Sequence, residues 1–582
     1  MTYTISQKIL TAAMAGKGLP RLASGESTHD AALSFTFQLV AAGAADPFIE
    51  NVVRAALPAN YSGDTLDELP GMIAGAREKI AMNGEERSEN ESLANGGERT
   101  TIAQRTVEAA LAEATLFHDE KKRAYISTPT PSGGQICYSL DSKNASLFIR
   151  ERHHRTEEKP LSRNSLTEVV DTLKARAIFD SPERKVCRRI ARIKDEIYID
   201  LGTRDGVMVK ITTQGWSLVH TAPVAFLRDE GFKALPEPSV VDDNPGLIEE
   251  FFTALGIRGD NAILLAGFLL NCLRGEGPFM FMFIEGQQGS GKTFLSEVLK
   301  RIIDPNVVLR SRLPDNEADL MLQAGIYFLP VYDNTSGMRT DMSDALSTIA
   351  YGGSIPKREL FTNGDMYVLS ACGPFIINGI GDFITKPDLL NRAIPVQLEP
   401  IKHRRTETEL GQIIEGMLPA ILGALYSAAA TALRGMAEKD IPREVSQVRM
   451  IDSAKWITAA EPVLGFEAGT FAQTLLYKQT ETANELVNNE SIVAGLRIMT
   501  EDGPFLGTVL DVFGSCCSGR YTTGLPQSPV SLSKLLKRLA PALGPTGLHV
   551  KFEEKTKVGR LVRIWVDGQD PDLAKTCKLP AY

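Results

Sequence analysis

Gly286-Gln287-Gln288-Gly289-Ser290-Gly291-Lys292-Thr293 is the stretch on which the reading of this chain turns. It fits the phosphate-binding pattern G-x-x-x-x-G-K-[ST], and its surroundings suit it. Upstream, Pro278-Phe279-Met280-Phe281-Met282-Phe283-Ile284 is a short apolar run that predicts a strand; downstream, Phe294, Leu295, Val298, Leu299 and Ile302 recur at helical spacing. Glycines let backbone N–H groups close on an anion, and the start of the following helix adds its positive end. In that setting Gly286, Gln287, Gln288, Gly289, Ser290 and Gly291 wrap phosphates, Lys292 reaches the β- and γ-phosphates, and the Thr293 hydroxyl ligates Mg²⁺. ATP with Mg²⁺ is the expected ligand.

A triphosphate site of this kind needs a carboxylate at a second strand end to hold the metal. Ile326-Tyr327-Phe328-Leu329-Pro330-Val331-Tyr332-Asp333 offers an apolar run ending in Asp333. Asn334 follows, and an asparagine orients water but takes no proton from it. Three readings stay open: Asp333 does both jobs, another carboxylate such as Asp315 or Asp344 assists, or hydrolysis is slow. A third apolar run, Gly373 to Ile377, ends in Asn378, an amide placed to sense the γ-phosphate. Arg392, in Lys386-Pro387-Asp388-Leu389-Leu390-Asn391-Arg392, is a candidate for reaching a neighbouring subunit's nucleotide. Between Asp333 and Asn378, two strand-like runs flank Asn363-Gly364, a strong hairpin signal.

At 582 residues the chain calls for several domains. The sequence predicts an α/β multidomain protein: a helical unit over 1–82, a polar linker over 83–116, an α+β accessory domain over 117–235, a nucleotide-binding domain over 240–425, a helical connector over 426–490, and a winged helix over 491–570. The net charge of −9 argues against a surface that coats duplex DNA throughout, but basic segments recur locally, at Arg150 to Arg155, Arg184 to Arg189 and the C-terminal unit. Seven scattered cysteines form no C-x-x-C pair, so neither a disulfide scaffold nor a zinc site is expected. No apolar run reads as long enough to cross a bilayer, and no leader pattern opens the chain, so a cytoplasmic address without membrane contact is expected.

Taken jointly, the glycine loop, Tyr332-Asp333-Asn334, Gly352-Gly353 with Lys357-Arg358-Glu359-Leu360, Asn378, and Asp388-Leu389-Leu390-Asn391-Arg392 resemble the superfamily 3 helicase-like AAA+ ATPases of phage, plasmid and other mobile-element primase-helicase proteins. The resemblance implies a homohexameric ring that hydrolyses ATP between subunits and moves on single-stranded or forked DNA. Primase, initiator or host replisome proteins are its implied partners. By the same resemblance Lys292, Asp333, Asn334, Asn378 and Arg392 are catalytic, Thr293 and Asp333 hold the metal, and Lys357, Arg358 and Asn363 of the hairpin meet DNA. Two departures stand out: Asn334 replaces the usual second acid, and the hairpin tip, Thr362 to Asp365, has no basic residue. Asp200 lacks the paired aspartate of a two-metal polymerase site, so primase activity is not expected. The C-terminal unit resembles the winged helix of these proteins, with Lys534, Lys537, Arg538, Lys555, Lys557 and Arg560 as its DNA contacts. The alternatives to a helicase are a nucleotide-gated DNA-binding assembly with slow turnover and a defence ATPase.

Overall fold

Alternation along one strand shows how the centre of the molecule is layered. In the computed structural model, β1 (Phe281–Gly286) sends Met282 and Ile284 into one apolar cluster and Phe281 and Phe283 into another. A strand buried on both faces reads as a continuous apolar run, as this one does. It is followed by α1 (Lys292–Ile303), β2 (Val331–Thr335), β3 (Ile376–Gly379) and β4 (Ala393–Leu398). The four strands form a parallel sheet in the order β2-β3-β1-β4. On one face lie α1 and the helix Asp260–Leu273; on the other lie Glu317–Ile326 and Thr340–Tyr351. Phe281, fully buried, stacks on Phe375 with ring centroids 4.6 Å apart, and truncating such a side chain costs about 3–5 kcal/mol.

The structure describes residues 22, 28–58, 61, 63–91, 101–240, 245–358, 366–379, 387–401, 404–437, 440–488, 490–517, 525–556, 559–573 and 575–576. Residues 326–330, expected as strand, are instead the end of a helix and its exit, so Asp333 lies in the middle of β2 rather than at the end of a long strand. Asn316 caps that helix by accepting from the Asp319 N–H, which fixes its start.

After β4 comes α2 (Glu407–Gly435), opened by a capping box between Thr406 and Glu409. Two expectations change here. The domain boundary at 425 falls inside α2, because Pro419 sits within the helix without ending it. By length and composition α2 could also cross a membrane, contrary to the reading that no segment is long enough. Half of its apolar window is buried inside the protein, where Ile421, Leu425, Ala428 and Ala432 supply a core stripe. Further on, α3 (Thr470–Asn488) lies along the edge strand β4, and Gln479 donates to the carbonyls of Leu390 (3.3 Å) and Ala393 (2.8 Å).

Among the flanking regions, residues 1–109 with 161–169 form one unit and the rest of the chain another. In the first, helices Thr28–Ala41, Asp46–Ala56 and Thr65–Glu91 enclose Phe35, Leu39, Ile49, Val53 and Ile73. The expected linker at 83 is helical up to Glu91, since its Glu and Arg residues are good helix formers, and 102–111 is helical again. In the second unit, two antiparallel sheets occupy 115–139 and 190–219. Part of the basic edge expected there is interior. Arg189 is fully buried, 3.3 Å from Asp304, and donates to the carbonyls of Asp200, Lys233 and Pro305. Asp200 is itself held by Arg228 at 2.6 and 2.8 Å, a structural pairing. The C-terminal region contains helices Ser491–Met499, Val509–Cys517 and Pro529–Leu543, strand Phe505–Thr508, and the antiparallel pair Leu548–Thr556 and Gly559–Val566.

Candidate active site

From β1 the chain passes through α1 to β2, two places away, returns to β3, and then crosses to β4 on the other side of β1. Strand order therefore reverses across β1, which opens a crevice at the strands' carboxyl ends. The glycine loop fills that position. A Cβ at 286 would sit 2.5 Å from the Leu398 carbonyl oxygen, and Gly289 (φ 81°) and Gly291 (φ 85°) are left-handed, so glycine is required by both space and backbone. Ser290 Oγ is buried in the loop without a partner, an orphan polar atom that suits a loop shaped around an anion.

Around the loop, the candidate residues converge. Lys292 Nζ donates to the carbonyls of Gly286 (2.6 Å) and Gln287 (2.9 Å); burial lowers its pKa, against the opposing pull of Asp333 and Glu285. Thr293 Oγ1 stands 3.2 and 3.3 Å from the two Asp333 oxygens and donates a hydrogen bond to that carboxylate. Asn378, 1% exposed, donates to Ser296 Oγ at 2.9 Å and accepts the Asn334 N–H at 3.1 Å. Asn334 is left-handed (φ 61°), a conformation asparagine tolerates far better than most L-residues. Gln287, Gln288 and Gly289 face solvent.

Several residues enter that the sequence reading missed. Arg310 bridges Asp333 (2.6 Å) and Glu297 (2.9 Å). Glu297 lies one turn beyond Thr293 on α1 and lines the cleft with Asp333, which Asp315 and Asp344 do not. On the other side of the loop opens a cleft of about 1220 Å³, with Arg258, Phe294, Arg404 and Lys478 in its wall. A Cβ at Gly289 would lie 3.1 Å from Arg404 Nη2, so this guanidinium sits over the loop. The paired arginines at 404 and 405, just past β4, were the one available signal.

Arg392 is not brought to this site. It precedes β4, whose first residue pairs with the first residue of β1, while Leu398 pairs with Gly286. Five steps of strand, roughly 16 Å, separate it from the glycine loop. There it is buried, ion-paired with Asp388 and donating to the Asp388 carbonyl at 2.7 Å, over the Tyr351 ring. Arg449 shares the Asp388 carboxylate, and the two guanidiniums, Arg392 first, hold that carboxyl below its usual range.

Of the expected DNA contacts, Lys357 and Arg358 end the strand Gly353–Arg358, paired antiparallel with Met366–Ala371. Asn363 and Lys557 lie outside the described residues. Lys534, Lys537 and Arg538 are exposed along the helix Pro529–Leu543; Lys537 lies 5.6 Å from the Phe552 ring centre and Arg538 pairs with Glu490 at 3.0 Å. Lys555 stands opposite Arg560 across the neighbouring strand pair.

Fold and site together define a parallel α/β domain with helices on both faces and a glycine-rich loop at its switch point. Over residues 255–475 the chain matches the family model of actinomycete integrative conjugative element replication proteins. That stretch therefore carries the sequence pattern of a mobile-element replication protein. Among solved structures, the chain is similar to the SCCmec type IV Cch active helicase (12% identity, TM-score 0.43, covering 78% of this chain and 93% of that one). It is also similar to the NrS-1 C-terminal region in its A-form apo structure (10% identity, TM-score 0.38, 79% and 99%), and to a JCV helicase with a bound thiazolopyridine compound (14% identity, TM-score 0.18, 41% and 69%). No curated protein matches the chain.

Proposed function

We propose that the chain is an ATP-driven DNA helicase or translocase, of superfamily 3 type, that acts as a homohexameric ring in the replication of an integrative or related mobile element. One observation carries the reading: Lys292 and Thr293 at the start of α1, Asp333 in β2 and Asn378 in β3 come together on the carboxyl side of the sheet, inside the stretch that matches replication proteins. The loop amides and Lys292 hold the β- and γ-phosphates, and Arg404 leans on them from above the loop. Thr293 and Asp333 would hold Mg²⁺, which neutralises charge on the phosphate oxygens when bound. Asn378, fixed through Ser296 and the Asn334 backbone, presents an amide to the transferred phosphate. Arg392, too distant to serve its own chain, acts on a neighbour's nucleotide. The strand pair 353–371 takes the pore strand, and Lys534, Lys537 and Arg538 take duplex phosphates. Primase, initiator and replisome proteins are the natural partners of such a ring.

Forked-DNA unwinding, measured beside ATP hydrolysis with and without single-stranded DNA, tests this. Wild type should separate strands and be stimulated by DNA, while Lys292→Ala should lose turnover by roughly 100-fold or more. If DNA fails to stimulate hydrolysis and no strand separates, the helicase reading falls. A second reading then stands, favoured by Asn334, which accepts no proton from water: a ring that assembles on nucleotide and DNA, turns over slowly and does not unwind.

A further inference from the structure

The residue nearest the Asp333 carboxylate is neither a phosphate ligand nor a water-activating acid but a cation. Arg310 Nη1 lies 2.6 Å from Asp333 Oδ2, inside the distance of Thr293 Oγ1 from either oxygen. Its Nε, on the adjacent edge of the guanidinium, lies 2.9 Å from Glu297. Bridged this way, two carboxylates that line one cleft share one planar cation, which offsets half of their charge. Asp333 is mostly buried whereas Arg310 is half exposed, so the carboxylate is fixed and the arginine is the part free to move.

We propose that Arg310 is the resident counter-ion of the metal seat, occupying the Asp333 carboxylate until a divalent cation arrives with the nucleotide and displaces it onto Glu297. This rests on the reading of Thr293 and Asp333 as a Mg²⁺ seat beside a nucleotide-binding glycine loop. The argument is electrostatic. A triphosphate entering the cleft without metal meets the Asp333 charge, and Arg310 cancels it; a metal ion held by Thr293 and Asp333 cancels it more fully, and then competes with the guanidinium for the same oxygen. Glu297 gives the displaced group a second carboxylate within its existing reach, so release requires only a rotation about Nε rather than a search for a new partner. The device makes the seat selective for metal and nucleotide together.

Two effects of opposite sign follow from removing the guanidinium. In EDTA, Arg310→Ala should bind a fluorescent ATP analogue more weakly than wild type, because Asp333 is left uncompensated. In a Mg²⁺ titration at fixed analogue concentration, the same variant should reach half-saturation at roughly fivefold to tenfold lower Mg²⁺, because the competitor is gone; the half-exposed setting of the arginine keeps the figure at that level. Arg310→Lys, a point charge that cannot span both carboxylates, should fall between wild type and Arg310→Ala on both measures. The measurement uses the full-length chain, with Lys292→Ala beside it. An unchanged or higher Mg²⁺ midpoint in Arg310→Ala, or unchanged affinity in EDTA, overturns the proposal. A wild type that binds no analogue at any Mg²⁺ concentration, or binds it no better than Lys292→Ala does, overturns the nucleotide-site reading instead.

Discussion

The two ends of one sheet do different things. At the carboxyl end, Lys292 donates to the loop carbonyl of Gly286, Thr293 donates to Asp333, and Asn378 bridges Ser296 and the Asn334 N–H. At the amino end, Arg392 is buried in its own ion pair and touches none of them. In the proposed ring, an arginine roughly 16 Å from its own chain's loop would serve a neighbour's nucleotide.

Mixing subunits breaks or sharpens that contrast most strongly. Lys292→Ala and Arg392→Ala should each lower turnover by about 100-fold or more, the first with loss of nucleotide binding and the second with binding kept. Combined in one assembly, the two variants should regain part of the activity, because some interfaces then pair an intact loop with an intact arginine. Turnover by Arg392→Ala at the wild-type rate would show that the amino end has no part in the chemistry.

Asn334 offers a smaller and sharper test at the carboxyl end. Its left-handed backbone directs its N–H at Asn378, and a longer acid in that conformation costs about 1–2 kcal/mol. Asn334→Gly should therefore stay within about threefold of wild type, and Asn334→Glu should lose roughly tenfold in turnover. A gain with Glu would mean that the position lacks a base rather than answering to backbone geometry.

The contrast also decides what could be read from the sequence. The glycine loop was legible because its eight residues are contiguous and each has a local physical reason: glycine for the turn, lysine and threonine for the helix start. Asn378 was legible as the end of an apolar run. Arg310, Glu297, Arg404 and Lys478 were not, because what gathers them is the packing of α1, β2, β4 and α3, and no spacing along the chain records it. Arg189 misled in the opposite direction. Within a run of cations it looks like surface, yet it is fully buried and its ion-pair partner Asp304 lies 115 residues on.

The smallest expected effect concerns what holds the two ends in register. Helix α3 spans the edge of β4: Lys478 stands in the wall of the cleft beside the glycine loop, and Gln479 bonds the carbonyls on either side of Arg392. The first turn of α3 is fixed by Glu461, whose buried carboxylate accepts the Gly469 N–H at 2.6 Å and the Phe471 N–H. Burial nevertheless pushes that carboxyl up to about 7, outweighing the two N–H donors that favour the charged form. A folded pKa above the unfolded one means that the native state binds the extra proton, so this contribution is full below about 4.5 and is lost as pH rises through 7. Between those limits stability should fall by at most about 1.4 kcal/mol per pH unit from this group, and Glu461→Gln should flatten the slope. Denaturant unfolding of both proteins at pH 5, 6 and 7 reads the difference directly. Equal slopes would mean that Glu461 is ionised throughout and that the helix N–H groups, rather than burial, set its charge.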